Sequence, residues 1–231
     1  MTSYEAIFTR RSVRRYDSAP LGDAELADIQ AAIDGAKQLP GQTGRFIIVN
    51  ADTLKGAPSP HAILAHGEDT DAALSNIGYV LSSLDLYLQS KGYGSIVMGM
   101  AKPLEPAADY RILLAFGRTT VPVRTGEADF KRRGVADISN EDNAVARAAR
   151  LAPSAVNFQP WKLEFSPGKV TVKYTPNGIG RLLAGKMQKI DVGIITRYVE
   201  LALEHEGKIV TAVTPDGTGK NFGIEVGCTE G

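Results

Sequence analysis

The stretch Ala152-Pro153-Ser154-Ala155-Val156-Asn157-Phe158-Gln159-Pro160-Trp161 decides how this chain is read. It places two prolines, a hydroxyl, two side-chain amides and an indole between a helical run and an apolar, strand-like run. Pro153 and Pro160 each remove a backbone donor and stiffen the path. Asn157 and Gln159 offer donors and acceptors alike, and Trp161 can anchor the connection by burying its ring. Such a loop suits a planar ligand with polar edges. Read alone, it is more often simply a helix stop followed by an edge strand.

A second segment, far away in the chain, tips that balance. Thr9-Arg10-Arg11-Ser12-Val13-Arg14-Arg15-Tyr16 follows the short apolar run Tyr4-Glu5-Ala6-Ile7-Phe8 and holds four arginines and a serine. Guanidinium groups bind phosphate in a planar, bidentate manner, and a serine hydroxyl can donate to a further oxygen. A charge run by itself is more often a solvated face.

Together the two segments resemble the FMN-dependent nitroreductase family. There, an Arg-x-Ser-x-(Arg/Lys) segment near the start holds the flavin phosphate and the pyrimidine edge of the ring. A Pro-Ser-x-x-Asn-x-Gln-Pro-Trp loop, usually from the partner subunit, lies against the isoalloxazine. The resemblance implies cofactor contacts from Arg10, Arg11, Ser12, Arg14, Pro153, Ser154, Asn157 and Gln159. It adds Met98 and Gly99, where the family turns out of a strand toward flavin N5, and Lys131 and Arg133, where it returns basic residues to the phosphate. No side chain is implied as catalytic, because the chemistry belongs to the flavin; Arg14 at the N1–C2 edge would tune it. Met98 stands where some relatives carry an acid, which leaves the supply of protons open.

One departure shapes the architecture. In the family the proline-rich loop follows the arginine segment closely, whereas here 35–46 keeps only a proline and a strand entrance. Repeats explain the displacement. Gly78 and Gly193, Gly92 and Gly207, and Phe46 and Trp161 all stand at a constant offset of 115 residues. Phe8-x-Arg10-Arg11-x-Val13 also has a counterpart in Phe130-x-Arg132-Arg133-x-Val135. The expected fold is therefore α+β, a nitroreductase-like mixed sheet flanked by long helices, built as two degenerate copies fused into an internal pseudo-dimer. The halves would be 1–138, carrying the phosphate side, and 139–231, carrying the ring-covering loop, with one complete flavin site between them.

Composition is compatible with such an enzyme. The 231 residues are 43% hydrophobic and 23% charged, with 26 basic and 26 acidic side chains. This balance gives no global field for nucleic acid or an anionic membrane, so the arginine cluster would serve a local anion. No apolar run reaches the roughly 18 residues of a membrane helix, and no secretory core is visible, so a cytoplasmic protein is expected. Cys228 is the single cysteine, and His61, His66 and His205 show no paired zinc spacing, so no disulfide and no metal are expected. Gly178-x-Gly180 with Gly185, and Gly217-Thr218-Gly219-Lys220, lack the context of a dinucleotide fingerprint or a P-loop.

Periodicity predicts a helix from an Asp23 N-cap through Leu26, Ile29, Ile33 and Ala36, and long helices over 70–91 and 190–206. A shorter helix is predicted over 143–151. Strands are predicted at 46–49 (short and buried), 62–64, 95–99, 112–116, 161–165, 170–174, 209–213 and 222–226. The implied activity is transfer of hydride from NAD(P)H through FMN to a nitroaromatic, quinone or similar small-molecule acceptor, by a monomer or homodimer. Two other readings stay open: a flavin-binding storage or sensing protein without turnover, and a relative that fragments flavin or removes halogen, with 52–71 as its lid.

Overall fold

The computed structural model describes residues 1–176 and 187–231; the Gly178–Gly185 glycines lie outside the described residues. The first half holds α1 (Ser3–Thr9), α2 (Asp23–Asp34), β1 (Arg45–Asn50), β2 (Leu54–Lys55), β3 (His61–His66), α3 (Asp71–Ser90), β4 (Gly94–Met98), β5 (Lys102–Pro103) and β6 (Tyr110–Gly117). It is followed by α4 (Val135–Ile138), α5 (Ala144–Ala149), β7 (Trp161–Ser166), β8 (Lys169–Tyr174), α6 (Met187–His205), β9 (Lys208–Asp216) and β10 (Gly223–Glu230). The four-stranded sheets run β1-β3-β6-β4 and β7-β8-β10-β9, so each visits its strands in the order first, second, fourth, third.

The two long helices cross at their glycines. A Cβ on Gly78 would lie 1.9 Å from the carbonyl oxygen of Ile190, and one on Gly193 would lie 1.8 Å from that of Ser75. Only hydrogen fits at either point, which lets the two backbones touch. Ser75 Oγ donates to the Lys189 carbonyl at 2.7 Å across the same contact. The stripe Ile77, Leu81, Leu84 and Leu88 is buried, as predicted, and packs with Val192, Ile195 and Val199 into the core. Thr70 caps α3 by accepting from Ala73 N, and Gly92, at φ +88°, continues past its C-terminal end.

Several local expectations are corrected. The strands of the two large sheets pair antiparallel, and among the described residues parallel contacts occur only as the isolated bridges Ser12↔Ser95 and Ser139↔Leu163. β1 is half-buried rather than buried, because it is an edge strand; the fully buried strand is its neighbour β3. Helix α2 is capped at Gly22, whose N–H donates to Glu25 Oε2 at 2.8 Å, and it ends before Ala36. Asp23 is its first helical residue. The 52–71 stretch is more ordered than irregular: 61–66 is β3, around the strand expected at 62–64, and Leu54–Lys55 pairs with Lys102–Pro103. No helix among the described residues is long and apolar enough to cross a membrane.

Candidate functional site

A cavity of about 550 Å³ lies where the N-terminal segment, the end of β4, the loop after α5 and the start of α6 meet. That volume is within the range of sites that enclose a small cofactor, about 300–1,000 Å³. Arg10, Ser12 and Arg14 line one side, Met98, Gly99 and Met100 a second, and Pro153, Ser154, Ala155 and Val156 a third. Two segments about 140 residues apart in sequence thus share one hollow, as their chemistry suggested.

The N-terminal segment is held by α3. Arg10 follows α1 in extended conformation, and its Nε donates to Asp85 Oδ2 at 2.9 Å, with both side chains nearly inaccessible. Gln89, one turn beyond Asp85, accepts from Arg11 N at 2.7 Å. Asp85 Oδ1 receives Ser95 Oγ at 2.5 Å and Gln89 Nε2 at 2.9 Å. Val13 N then donates to the Ser95 carbonyl, which lays the segment beside β4. Burial works against the Arg10 charge, and Asp85 outweighs it, so the guanidinium stays charged with its pKa raised. Because Asp85 already compensates Arg10, the uncompensated positive charge lining this side is the exposed Arg14.

The proline-rich loop is held differently from the expectation. Asn157 Oδ1 accepts from Arg132 Nη1 at 2.8 Å, and its Nδ2 donates to the Lys131 carbonyl at 2.9 Å. Gln159 is buried, accepts from Arg133 N at 2.9 Å and donates to the Asn157 carbonyl at 3.1 Å. Both amides are therefore spent on the loop itself and on 131–133, and neither lines the cavity. Arg11, Lys131 and Arg133 do not line it either; Lys131 and Arg133 are exposed and contribute backbone groups to the loop. The guanidinium that matters in the triplet is Arg132, which donates to the Leu151 and Ala152 carbonyls and so ties down the end of α5. Burial, followed by repulsion from Arg10, lowers its pKa to about 10. Trp161 is fully buried under the loop.

These bonds impose an unusual backbone. Val156, Asn157 and Gln159 all have positive φ, at 51°, 60° and 48°. For a β-branched residue this conformation is strained by about 1–3 kcal/mol. Val156 is 78% exposed, so little packing opposes its removal. Val156→Gly should raise stability by about 0.5–1 kcal/mol, read as a higher urea midpoint at unchanged slope. A lower midpoint would mean that the loop is not strained there.

Sequence reading missed Asp85 and Asp191, two buried acids on the long, mostly apolar helices, both lining the cavity. Asp191 shares one face of α6 with Met187, Ile190 and Ile194, and all four line the cavity. Its Oδ1 accepts from Ala155 N at 2.9 Å, while its Oδ2 has no partner among the described residues. Burial pushes its pKa up to about 8, against the lowering effect of the Ala155 bond. The irregularity that could have revealed both acids was a carboxylate where the stripe calls for an aliphatic side chain.

Gly99 lies just past β4, and a Cβ there would sit 1.9 Å from Met187 Cε. Met187 therefore folds over Gly99, with Ile96, Ile112, Ile190 and Ile194 completing apolar walls. A second depression, of about 600 Å³, lies by the β7–β8 turn. Its lysines already have carboxylate partners, Lys169 with Glu225 and Lys208 with Glu230, both at 2.5 Å, so it offers little uncompensated charge to an anion.

A family model described as "Putative TM nitroreductase" matches residues 2–203. The solved structure of a putative nitroreductase from Thermotoga maritima shares 21% identity, covering 98% of this chain and 93% of that one, with a TM-score of 0.72. A nitroreductase family protein from Clostridium difficile shares 16% identity over 62% of this chain and 99% of that one, at a TM-score of 0.49. A nitroreductase with bound FMN from Desulfitobacterium hafniense shares 18% identity over 56% of this chain and 96% of that one, at 0.42. No curated protein sequence matches significantly.

Proposed function

This chain belongs to the nitroreductase-like family, and from that premise we propose that it is an FMN-dependent oxidoreductase using NAD(P)H to reduce a nitroaromatic, quinone or similar acceptor. The observation that carries the reading is the meeting of Arg10–Arg14 with Pro153–Val156 around one cavity. FMN suits the donor set: a phosphate needs a net cation and hydroxyl donors, which Arg14 and Ser12 offer. The ring needs apolar faces with close backbone approach, which Ile96, Ile112, Ile190, Ile194 and Gly99 provide. When bound, FMN supplies the two-electron chemistry.

In this reading Arg10 supplies remaining N–H groups without net charge, and Arg14 supplies the charge. Pro153 and Ser154 form the cover, while Asn157, Gln159 and Arg132 keep that cover in shape. The mouth, where the lining residues Met100 and Val156 are 94% and 78% exposed, is open and apolar enough for nicotinamide and acceptor to enter in turn. We further propose that 1–138 and 139–231 are two fused copies. The equal strand orders, the Gly78–Gly193 crossing and the constant 115-residue offset support this reading.

The reading is tested by loading the purified protein with FMN and following NADH and NADPH oxidation with a nitroaromatic and a quinone. Turnover with bound FMN is expected; bound FMN without turnover would make this a flavin carrier or sensor instead. Arg14→Ala should weaken FMN binding about tenfold or more while leaving Tm unchanged, since the side chain is exposed. An unaltered Kd would remove Arg14 from the phosphate site.

A further inference from the structure

Asp191 is more than a clamp for the loop. Its equivalent at the 115-residue offset is Asn76, which accepts from Leu39 N at 2.8 Å and donates from Nδ2 to Gln38 Oε1 at 2.8 Å. There an amide performs the clamping and satisfies both of its polar atoms. Asp191 clamps Ala155 in the same way with Oδ1, but it is a carboxyl group whose second oxygen, closed off from solvent, has no partner among the described residues, on a side chain that lines the cavity with Met187, Ile190 and Ile194. Clamping alone does not call for an acid at this position.

Resting on the oxidoreductase reading above, we propose that Asp191 is the proton donor of the cavity, holding a proton on Oδ2 and passing it to the electron acceptor. The step balances: a quinone takes a hydride equivalent from NAD(P)H by way of the cofactor and a proton from Asp191, giving the hydroquinone. The Asp191 carboxylate is then reprotonated from water. Asp191 stands on α6 across the cavity from Arg10, Ser12 and Arg14 of the N-terminal segment. Burial keeps its carboxyl neutral up to about pH 8. The other charged groups lining the cavity are Arg10 and Asp85, which pair with each other, and Arg14; the loop facing Asp191 brings no titratable side chain. Lys189, two residues before Asp191 on α6, is bound to Asp71 at 3.0 Å.

Asp191→Asn retains the acceptor for Ala155 N and removes the proton. In the FMN-loaded variant, turnover with a benzoquinone acceptor at pH 7 should fall about 100-fold, while the FMN Kd stays within twofold. The loss of wild-type kcat as pH rises through about 8 should disappear in the variant. Asp191→Glu should restore part of the rate. A readout without turnover comes from unfolding. Between the unfolded pKa and the raised folded one, the native state binds a proton that the unfolded state has lost, so wild-type stability falls with rising pH. The wild-type urea midpoint should therefore drop relative to that of Asp191→Asn from pH 5 to pH 8. An Asp191→Asn protein that binds FMN and keeps the wild-type kcat and pH profile would overturn the proton role alone. Wild-type protein that takes up no FMN would overturn this role and the oxidoreductase reading together.

Discussion

Gly193→Ala should yield no stably folded protein. The new methyl carbon would lie 1.8 Å from the Ser75 carbonyl oxygen, 2.7 Å from its carbon and 2.8 Å from Tyr79 N, all of them backbone atoms that no rotamer change can move. The helices would have to separate, and α3 and α6 together carry the centre of the core. Overpacking a core commonly costs about 1–3 kcal/mol, and a clash with backbone lies beyond that range. A domain of ordinary stability, about 5–15 kcal/mol, has little margin for it. Gly78→Ala should behave alike, because its clash with Ile190 is the same contact seen from the other helix. Gly92→Ala is the control: nothing lies within 4 Å of a Cβ there, so only the αL strain of about 1 kcal/mol should appear. Soluble expression and thermal unfolding distinguish the three. A Gly193→Ala protein with the wild-type Tm would mean that the helices do not cross as described.

Arg10→Ala should destabilise the protein by about 3–5 kcal/mol and abolish flavin retention. The destabilisation follows from Asp85, which would be left ionised, buried and without its cation. The two effects can be separated. Arg10→Met combined with Asp85→Asn removes both charges and keeps an acceptor for Ser95 Oγ and Gln89 Nε2. This double variant should regain most of the stability yet still bind FMN poorly. Urea unfolding and flavin content, measured on the same preparations, check both claims. Recovery of flavin binding together with stability would show that Arg10 only holds the segment in place.

Most of the architecture was legible because it rests on period and punctuation. The stripe Ile77–Leu88, the glycine after α3 and the Ser166–Lys169 turn each follow from local rules, and the long helices lie within a few residues of expectation. The strand at Phe46 was placed correctly but misjudged in burial, since edge or centre is decided by pairing with β3, which no local pattern encodes. At the site, Arg10, Ser12, Arg14, Met98, Gly99, Pro153 and Ser154 come together around the cavity. Asn157 and Gln159 were legible as special residues, and their direction was not. Their amides turn away to 131–133 where three positive φ angles reverse the loop, and side-chain type alone does not reveal that reversal. Asp85 and Asp191 are hard to see in the sequence because each sits in a long, mostly apolar helix that reads first as core.

Titration of the flavin-free protein with FMN, with stoichiometry read per 231-residue chain, tests the central claim most directly. One FMN per chain is predicted, with affinity weakened about tenfold or more when Arg14 is replaced. No binding at saturating FMN, or two equivalents per chain, would contradict a single site shared between the N-terminal segment and the distant proline-rich loop.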